Sequence, residues 1–227
     1  MNVVGLTGPN AAGKGEVARF FQARGFAYHS LSDVVRDEAT LRGLDHTREN
    51  LIRVGNDLRA AHGPGALAER IIEKLLETPA LDAIARERHR DAAGDPAPGA
   101  PGEPQASGAP GTSHPEWLIA VPPGVRAIVD SIRNPAEVAV LRRLSGFVLV
   151  GVNAPIAVRF DRSRLRARAG DGTTLEEFAR KESLENSTNP AAQQLTQTFL
   201  LADIVIDNSG TLGELGARVA VALPAEP

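Results

Sequence analysis

The stretch NVVGLTGPNAAGKGEVARFFQARG, residues 2–25, decides the fold of this chain. Its first six residues are a short, mostly apolar run, which predicts a buried strand that ends at a glycine. After the glycine-rich segment, apolar residues recur at Val17, Phe20 and Phe21, which is the spacing of one helix face. Gly25 then follows as a C-terminal stop. A strand, a glycine-rich turn and a helix in this order predict the first βα unit of an α/β fold.

The glycine-rich segment fits the G-x-x-x-x-G-K pattern of a phosphate-binding loop, with Gly8, Gly13 and Lys14 at the fixed positions. Glycine lets the main chain wrap around a polyphosphate, and the helix that begins near Lys14 adds its positive N-terminal end. The alternative is an ordinary glycine-rich turn, but the strand before it and the helix after it favour the phosphate loop. Lys14 is therefore a predicted catalytic residue that neutralises phosphate charge. We predict that ATP contacts Gly8, Pro9, Asn10, Ala11, Ala12, Gly13, Lys14, Gly15 and Glu16.

The residue after Lys14 departs from the commonest form of this loop. Many phosphate loops carry a serine or threonine there whose hydroxyl binds Mg²⁺, whereas this chain has Gly15 and then Glu16. The sequence therefore predicts no direct side-chain ligand for the metal. A Mg²⁺ ion that accompanies ATP would be held mainly through water and nucleotide oxygens, which suits its slow dehydration.

Strands and helices alternate along the rest of the chain. Apolar runs predict further strands at 26–31, 126–130, 147–152 and 203–207. Periodicity, caps and breakers predict helices at 32–43, 47–61, 66–76, 135–143, 155–168, 175–184 and 212–221, the first of them with Ser32 at its N-cap. Strands that are nearly all apolar are typical of a parallel sheet buried on both faces. The sequence therefore predicts an α/β fold with a central parallel sheet.

Asp33 and Arg36 lie three residues apart, on one face of the helix predicted after the second strand. An arginine at this place can bind the phosphate of an acceptor molecule through its planar fork of N–H groups. A helix cap with a surface ion pair explains the same residues, and the sequence leaves that alternative open. Asp33 and Arg36 are therefore candidate acceptor-binding residues.

Asp130 stands at the carboxyl end of a predicted strand, where open α/β sheets place their ligand sites. A carboxylate there can orient water bound to Mg²⁺, and Arg133 can reach phosphates from the same turn. A capped turn explains Asn134 and Pro135 but not an aspartate directly at the strand end. We predict that Asp130 and Arg133 bind the acceptor. Arg133 is also a predicted catalytic residue, and Asp130 is a contact to the metal through water.

The predicted helix 155–168 is rich in arginine, and Arg159, Arg162 and Arg166 recur on one of its faces. The alternatives are a solvated basic face and an RNA-binding stripe, although no aromatic residue lies among the last four arginines to stack on bases. Beside a phosphate loop, the helix is better interpreted as a lid whose arginines exclude water and neutralise the phosphates. Arg162 and Arg168 are the catalytic residues predicted on this lid.

Six stretches in a fixed order carry a family resemblance. They are GLTGPNAAGKGEVA, SLSDVVRDEATLRGLDHTREN, GPGALAERI, IVDSIRNPAEV, FVLVGVNAP with the arginine helix, and ADIVIDNSGTLGEL. They resemble a small family of adenylate-kinase-like and dephospho-CoA-kinase-like P-loop proteins, many of them archaeal and functionally unassigned. The glycine after the loop lysine is similar to the adenylate kinase version of the loop. The resemblance covers most of the chain outside 78–124.

The resemblance implies a more specific fold and site than the pattern of strands and helices alone. The implied fold is a three-layer P-loop NTPase similar to nucleoside monophosphate kinases, with a helical acceptor region and an arginine-rich lid. ATP would bind at Gly8 to Gly15, and the phosphoryl acceptor would lie near Asp33, Arg36 and Arg133. The family brings no firm substrate.

The composition excludes several classes of protein. The 227 residues contain no cysteine, which excludes a disulfide framework, a cysteine-ligated zinc site and a thiol nucleophile. No apolar run approaches the roughly 20 residues of a membrane span, and the N-terminus lacks the basic region of a signal peptide. The net charge of −3 gives no reason to expect nucleic acid. We expect a cytoplasmic monomer or small homo-oligomer with a small-molecule partner, and neither a nucleic acid nor a membrane.

Residues 91–116 (DAAGDPAPGAPGEPQASGAPGTSHPE) differ from the rest of the chain. They hold 6 of its 16 prolines and 5 of its 22 glycines, with almost no large apolar side chains. Such a segment cannot bury enough apolar surface to offset the entropy of ordering. We therefore predict a single P-loop kinase-like domain over 1–227, in which 91–116 is a disordered Pro/Gly/Ala-rich insertion.

Two functions follow from these motifs. The first is an ATP-dependent phosphotransferase that moves the γ-phosphate to a nucleotide-like small molecule, of the nucleoside monophosphate or dephospho-CoA type, with Mg²⁺. The second is a nucleotide-binding switch or slow ATPase without an acceptor, which the missing hydroxyl after Lys14 motivates. A nucleic-acid-associated module that uses the arginine helix is a third hypothesis, and it predicts binding that weakens steeply with salt.

Overall fold

The computed structural model of the chain describes residues 1–77, 118–166, 172–183 and 186–222. Its strands are β1 (Val3–Thr7), β2 (Ala27–Ser30), β3 (Ala127–Asp130), β4 (Phe147–Asn153) and β5 (Ile204–Asp207). Its helices are α1 (Lys14–Gln22), α2 (Leu31–Leu41), α3 (Arg48–His62), α4 (66–77), α5 (Pro135–Leu141), α6 (Ile156–Arg166), α7 (Leu175–Ser183), α8 (Leu195–Leu200) and α9 (Leu212–Ala222).

The five strands form one parallel sheet in the order β2-β3-β1-β4-β5. β1 lies in the middle, with Gly5 opposite Val129 of β3 and Leu149 of β4. Because all the strands are parallel, their carboxyl ends meet at one edge of the sheet. The turn after β3 therefore lies beside the phosphate loop after β1.

Helices cover both faces of the sheet, as the alternation of side chains along β1 shows. Val3 belongs to an apolar core with α2, α3, α4 and α5, whereas Val4 and Leu6 belong to a second core with α1 and α9. The arrangement is three-layered, with the sheet in the middle. The predicted α/β fold with a central parallel sheet is confirmed.

The predicted N-cap is correct for α3 and wrong for α2. Thr47 caps α3 as predicted, because its hydroxyl accepts a hydrogen bond from the amide of Asn50. The prediction that Ser32 caps α2 is wrong: the N-cap is Ser30, which accepts from the amide of Ser32. Both residues are serines, and the earlier one stands at the end of β2, so the chain enters α2 without a loop. The short helix α8 was not predicted.

Some predictions fall outside the residues that the structure describes. They are the insertion 91–116, the end of the predicted lid helix with Arg168, and the last residue of helix 175–184. Among the described residues, no helix is long and apolar enough to cross a membrane.

Candidate functional site

The phosphate loop connects β1 to α1 and needs glycine at both of its fixed positions. Gly8 and Gly13 have φ angles of 136° and 99°, a region that other residues rarely adopt. A Cβ at Gly8 would lie 2.1 Å from the carbonyl oxygen of Val152, and one at Gly13 would lie 2.0 Å from Nδ2 of Asn208. Neither position has room for a side chain. The loop is therefore wrapped as tightly as the motif predicts.

Asn208 supports this loop from the far end of the sheet, and sequence reasoning did not identify it. It follows β5 and is buried, and its Nδ2 donates to the carbonyl oxygen of Ala12 at 2.8 Å. Its main-chain N–H donates to the carbonyl oxygen of Asn153 at 2.7 Å. Asn208 thereby fixes the loop residue next to Gly13 against β4 and β5. The contact to Ala12 spans 196 residues of sequence, so no local pattern points to it.

Lys14 is the first residue of α1, and its side chain folds back onto the loop. Its Nζ donates to the carbonyl oxygens of Gly8 and Pro9, at 2.7 and 3.1 Å. These bonds hold the ammonium beside the loop amides instead of out in solvent. The next residue, Gly15, has open space around it, since no atom lies within 4 Å of a Cβ built there. Glu16 forms an ion pair with Arg19 one turn along α1.

A cavity of about 820 Å³ lies in front of the loop. It joins the loop to both groups of residues that the sequence proposed for the acceptor, which are Asp33 with Arg36 and Asp130 with Arg133. Among the described residues, its lining contains six basic ones, Lys14, Arg19, Arg36, Arg133, Arg162 and Arg166, and three acidic ones, Glu16, Asp33 and Asp130. This excess of positive charge contrasts with the net charge of −3 of the whole chain and favours a polyanionic ligand.

Asp130 lies on the cavity wall with both carboxylate oxygens engaged. Its Oδ2 accepts a hydrogen bond from the hydroxyl of Tyr28 at 2.9 Å, and its Oδ1 accepts from the amide of Ser131 at 2.6 Å. Burial, together with the nearby Asp130 carboxylate, raises the pKa of Tyr28 well above its usual value, so Tyr28 stays a donor. Tyr28 lies 102 residues from Asp130, and sequence reasoning did not identify it.

Arg36 reaches the cavity from α2 and is tied to its own helix. Its Nη1 donates to Oγ of Ser32 at 3.0 Å and to the carboxylate of Asp33. The ion pair within the helix is present, and Arg36 also lines the cavity. Binding of an acceptor by this pair stays a prediction. The hydroxyls of Ser30 and Ser131 extend the polar wall and are 3.0 Å apart.

Arg133 follows β3 in a turn that contacts the segment before α8. Its Nη1 donates to Oε1 of Gln193 at 3.1 Å, and its carbonyl oxygen accepts from the amide of Gln194 at 2.8 Å. Ser131, two residues earlier, has a φ of 66°, which a residue other than glycine seldom adopts. The turn is therefore held in an uncommon conformation beside the phosphate loop.

Arg159, Arg162 and Arg166, which the sequence places on one face of the lid helix, have different surroundings in α6. Arg159 is buried, forms an ion pair with Glu182 of α7 and does not line the cavity. Arg162 and Arg166 do line it, and Nη2 of Arg166 donates to Oδ1 of Asn10 at 3.2 Å. Arg159 therefore joins α6 to α7, whereas Arg162 and Arg166 line the cavity.

Arg162 gives the clearest indication that the cavity suits an anion. Its Nη2 donates to the carbonyl oxygen of Gly210 at 3.3 Å. Its Nη1 is buried and has no hydrogen-bond partner among the described residues. A buried, unpaired charged donor is costly unless a ligand satisfies it. A phosphate oxygen has the charge and the hydrogen-bonding capacity to do so.

Among the described residues, no group of three or more histidine, cysteine, aspartate or glutamate side chains is arranged to hold a metal ion. The fit of a nucleotide is better supported, because the tight glycine positions, Lys14 and the unpaired nitrogen of Arg162 all suit phosphate oxygens. The geometry therefore suits a polyphosphate held by main-chain amides and cations.

The parallel sheet and the phosphate loop define this chain as an α/β protein with a P-loop kinase-like fold. It is 28% identical over 216 residues to a UPF0200 protein of Hyperthermus butylicus, and the match covers 95% of this chain and 90% of that protein. It is 29% identical over 221 residues to a UPF0200/UPF0201 protein of Archaeoglobus fulgidus, covering 96% of this chain. The chain spans only 54% of the length of that second relative. No protein-family model matches the chain.

Among solved structures, the chain is similar to the shikimate kinase of Bacteroides thetaiotaomicron. The TM-score is 0.51, the match covers 99% of each chain, and the sequences are 11% identical. At this identity the likeness concerns the fold alone. Together these similarities support the kinase-like fold, and they leave the adenylate-kinase-like or dephospho-CoA-kinase-like branch a hypothesis.

Proposed function

We propose that the protein is an ATP-dependent phosphotransferase that moves the γ-phosphate of ATP to a nucleotide-like small molecule. The acceptor is of the nucleoside monophosphate or dephospho-CoA type. The observation that carries this proposal is the single cavity of about 820 Å³, which joins the phosphate loop to two further polar groups around Asp33 and Asp130. A nucleotide-binding protein without an acceptor needs only the loop. The second half of this cavity gives a co-substrate a place to bind.

On the nucleotide side, the chain would bind ATP with the loop Gly8 to Gly15 and with Glu16 at the start of α1. The loop amides and the positive end of α1 are directed at the phosphates, and Lys14 neutralises the transferring group. Arg162 can donate its Nη1, which has no hydrogen-bond partner in the described part of the chain, to a phosphate oxygen. Arg168, also proposed as catalytic, lies outside the described residues.

On the acceptor side, five residues have distinct tasks. Arg36 and Arg133 bind anionic groups of the acceptor, because a guanidinium matches phosphate geometry with two parallel N–H groups. Asp33 and Tyr28 orient Arg36 and Asp130, respectively, through the hydrogen bonds described above. Asp130 can accept a proton or a hydrogen bond from an attacking hydroxyl. Arg133 also stabilises charge on the group in transfer.

A Mg²⁺ ion bound with ATP would supply further neutralisation of the phosphates. Asp130 is the carboxylate that could contact such an ion through water, since it lines the same cavity as Lys14. Gly15 cannot supply the hydroxyl ligand that a serine or threonine would give at this position. A side chain would fit there, since no atom lies within 4 Å of a Cβ built on Gly15.

A nucleotide-binding switch or slow ATPase is the second candidate. The absence of a hydroxyl at Gly15 favours it, because a weaker hold on Mg²⁺ would slow transfer. The two candidates differ in one measurable respect. An acceptor accelerates ADP formation by a kinase and leaves the ADP formation of a switch unchanged.

The test is incubation of the protein with ATP and Mg²⁺ and a panel of acceptors. The panel contains nucleoside monophosphates, nucleosides and dephospho-CoA, and both ADP and phosphorylated product are measured. We expect one acceptor to yield product in proportion to ADP, and Lys14→Ala to abolish turnover without unfolding the protein. Lys74→Ala is the matched control, because Lys74 pairs with Asp37 away from the cavity and its loss should leave turnover unchanged. Consumption of ATP without any phosphorylated product would favour the switch, and an active Lys14→Ala protein would contradict the site.

A further inference from the structure

A fully buried carboxylate, Glu137, lies behind the acceptor side of the cavity. It accepts hydrogen bonds from Arg59 of α3 and from the turn just before its own helix. Its Oε1 accepts two bonds from the guanidinium of Arg59, from Nε at 3.2 Å and from Nη2 at 2.8 Å. Its Oε2 accepts from the amides of Arg133 at 2.9 Å and Asn134 at 3.1 Å. Glu137 is 0% exposed and Arg59 is 6% exposed. The pair is therefore shielded from solvent, and both oxygens of the Glu137 carboxylate are hydrogen-bonded.

The bond to the amide of Arg133 exceeds what a helix cap requires. In a capping box, the side chain at the third helical position binds only the amide of the N-cap residue, which here is Asn134. Glu137 also binds the residue before the cap. That residue is Arg133, whose side chain lines the cavity. The carboxylate therefore fixes the main chain from which a proposed catalytic arginine projects.

Arg59 connects this turn to the helices that carry the other acceptor residues. It lies on α3, which packs against α2, the helix of Asp33 and Arg36. Gly55, one turn earlier on α3, faces Val35 of α2, since a Cβ built there would lie in ordinary contact with it at 3.6 Å. The ion pair Arg59–Glu137 therefore joins the α2–α3 side of the cavity to the turn after β3.

Stability alone is a weak explanation for such a pair. Buried ion pairs seldom stabilise a fold more than apolar side chains of the same volume would, because desolvation of two charges offsets their attraction. An apolar pair at these positions would fill the same space but could not bind the amide of Arg133. A role in fixing the main chain at Arg133 relative to α3 accounts for the hydrogen bonds of both carboxylate oxygens.

We propose that Glu137, oriented by Arg59, is a positioning residue. It directs Arg133 toward the transferring phosphate and fixes its position relative to Asp33 and Arg36 of α2. The proposal rests on the proposed function, because it assigns to Arg133 an effect on ATP turnover. It does not depend on the identity of the acceptor, since water can serve as the acceptor in the assay.

The test is a double-mutant cycle that measures ADP formation from ATP by the full chain. We expect Glu137→Gln to lower kcat on the order of 10- to 100-fold, as small misplacements of catalytic groups do, while KM for ATP stays unchanged. In an Arg133→Ala background, Glu137→Gln should lower kcat little further, because Glu137 acts on kcat through Arg133. Arg59→Lys, which keeps the charge and loses the fork, should give a smaller loss of kcat.

Glu69→Gln is the matched control, since Glu69 forms an exposed ion pair with Arg143 on the same side of the sheet and neither residue lines the cavity. It should leave kcat unchanged, and thermal melts establish that each variant is folded at the assay temperature. Equal losses of kcat from Glu137→Gln with and without Arg133 would overturn the proposal. A rise in KM for ATP in place of a fall in kcat would also overturn it.

Amide hydrogen exchange separates this proposal from the proposed function. We expect Glu137→Gln, but not Glu69→Gln, to speed exchange at the amides of Arg133 and Asn134. If the wild-type protein turned over no ATP, the proposed function would fail while this exchange still tested the positioning. Unchanged protection of both amides in Glu137→Gln would overturn the positioning.

Discussion

At Gly13, backbone conformation and the space available to a side chain impose the same choice of residue. The φ of 99° disfavours a side chain, and the nearest atom to a Cβ would be Nδ2 of Asn208 at 2.0 Å. Asn208 cannot move away without losing its bond to the carbonyl oxygen of Ala12. A single methyl group at Gly13 therefore disturbs both the loop and its support.

We predict that Gly13→Ala abolishes ATP binding and lowers the free energy of unfolding by about 1–3 kcal/mol, the usual range for a strained backbone position. Calorimetric titration with ATP and urea unfolding are the measurements. Gly15→Ala is the comparison for folding, because Gly15 is helical with open space around it and should be equally or more stable as alanine. Wild-type ATP affinity in Gly13→Ala would show that the loop does not hold the nucleotide as described.

Single residues of the site were predictable where they belong to a local pattern. Lys14 and the two loop glycines are set by their spacing and by the strand and helix around them. Asn208 and Tyr28 were not predictable, because they act on residues 196 and 102 positions away. Their roles depend on which strands are neighbours, which periodicity along the chain does not encode.

Among the secondary-structure elements, α6 and α7 are tied to the phosphate loop through one buried arginine. Both Nη atoms of Arg159 bind Glu182 of α7, and its Nη1 also donates to the carbonyl oxygen of Asn10 at 3.3 Å. Its Nε donates to the carbonyl oxygen of Ala154 at 2.9 Å. The helix proposed as a lid, α6, therefore meets the loop at Asn10, and α7 is joined to α6 through Glu182.

We predict that Glu182→Gln raises KM for ATP by roughly tenfold, because losing a charged hydrogen bond costs about 1.5–3 kcal/mol and leaves Arg159 less firmly placed against the loop. Steady-state kinetics at varied ATP concentration measures it. Glu176→Gln, an exposed residue of the same helix, should leave KM unchanged. An unchanged KM in a folded Glu182→Gln protein would show that α7 does not act on the loop.

Element boundaries followed the sequence where a cap or a breaker was unambiguous. Thr47 marked the start of α3, and Pro135 marked the start of α5 with Asn134 as its cap. The start of α2 was misplaced by two residues, because Ser30 and Ser32 are chemically equivalent caps. The six residues of α8, LTQTFL, are too few for a periodic pattern to emerge.

On the scale of the whole molecule, strand order brings the site together. The sequence predicts parallel strands, but no local pattern places β3 between β2 and β1. That order puts Asp130 beside the phosphate loop and Ser30 opposite Asp130. It also concentrates basic side chains in one cavity of a chain whose net charge is −3.

Removal of residues 91–116 tests the single-domain interpretation. We predict that the deletion leaves the affinity for ATP unchanged, because the phosphate loop precedes the segment and Asp130, Arg133 and Arg162 follow it. Calorimetric titration of ATP is the measurement. Replacement of the segment by a Gly/Ser linker of equal length separates an effect of composition from one of chain length. Loss of binding in both proteins would contradict a single domain over 1–227.

The central claim is that one cavity binds ATP and an acceptor and transfers phosphate between them. The most direct measurement follows the label from ATP carrying a radioactive γ-phosphate, in the presence of Mg²⁺ and each acceptor of the panel. The account predicts that label appears in an organic phosphate with the wild-type protein and not with Lys14→Ala. Recovery of all the label as inorganic phosphate or unreacted ATP, with every acceptor, would contradict it.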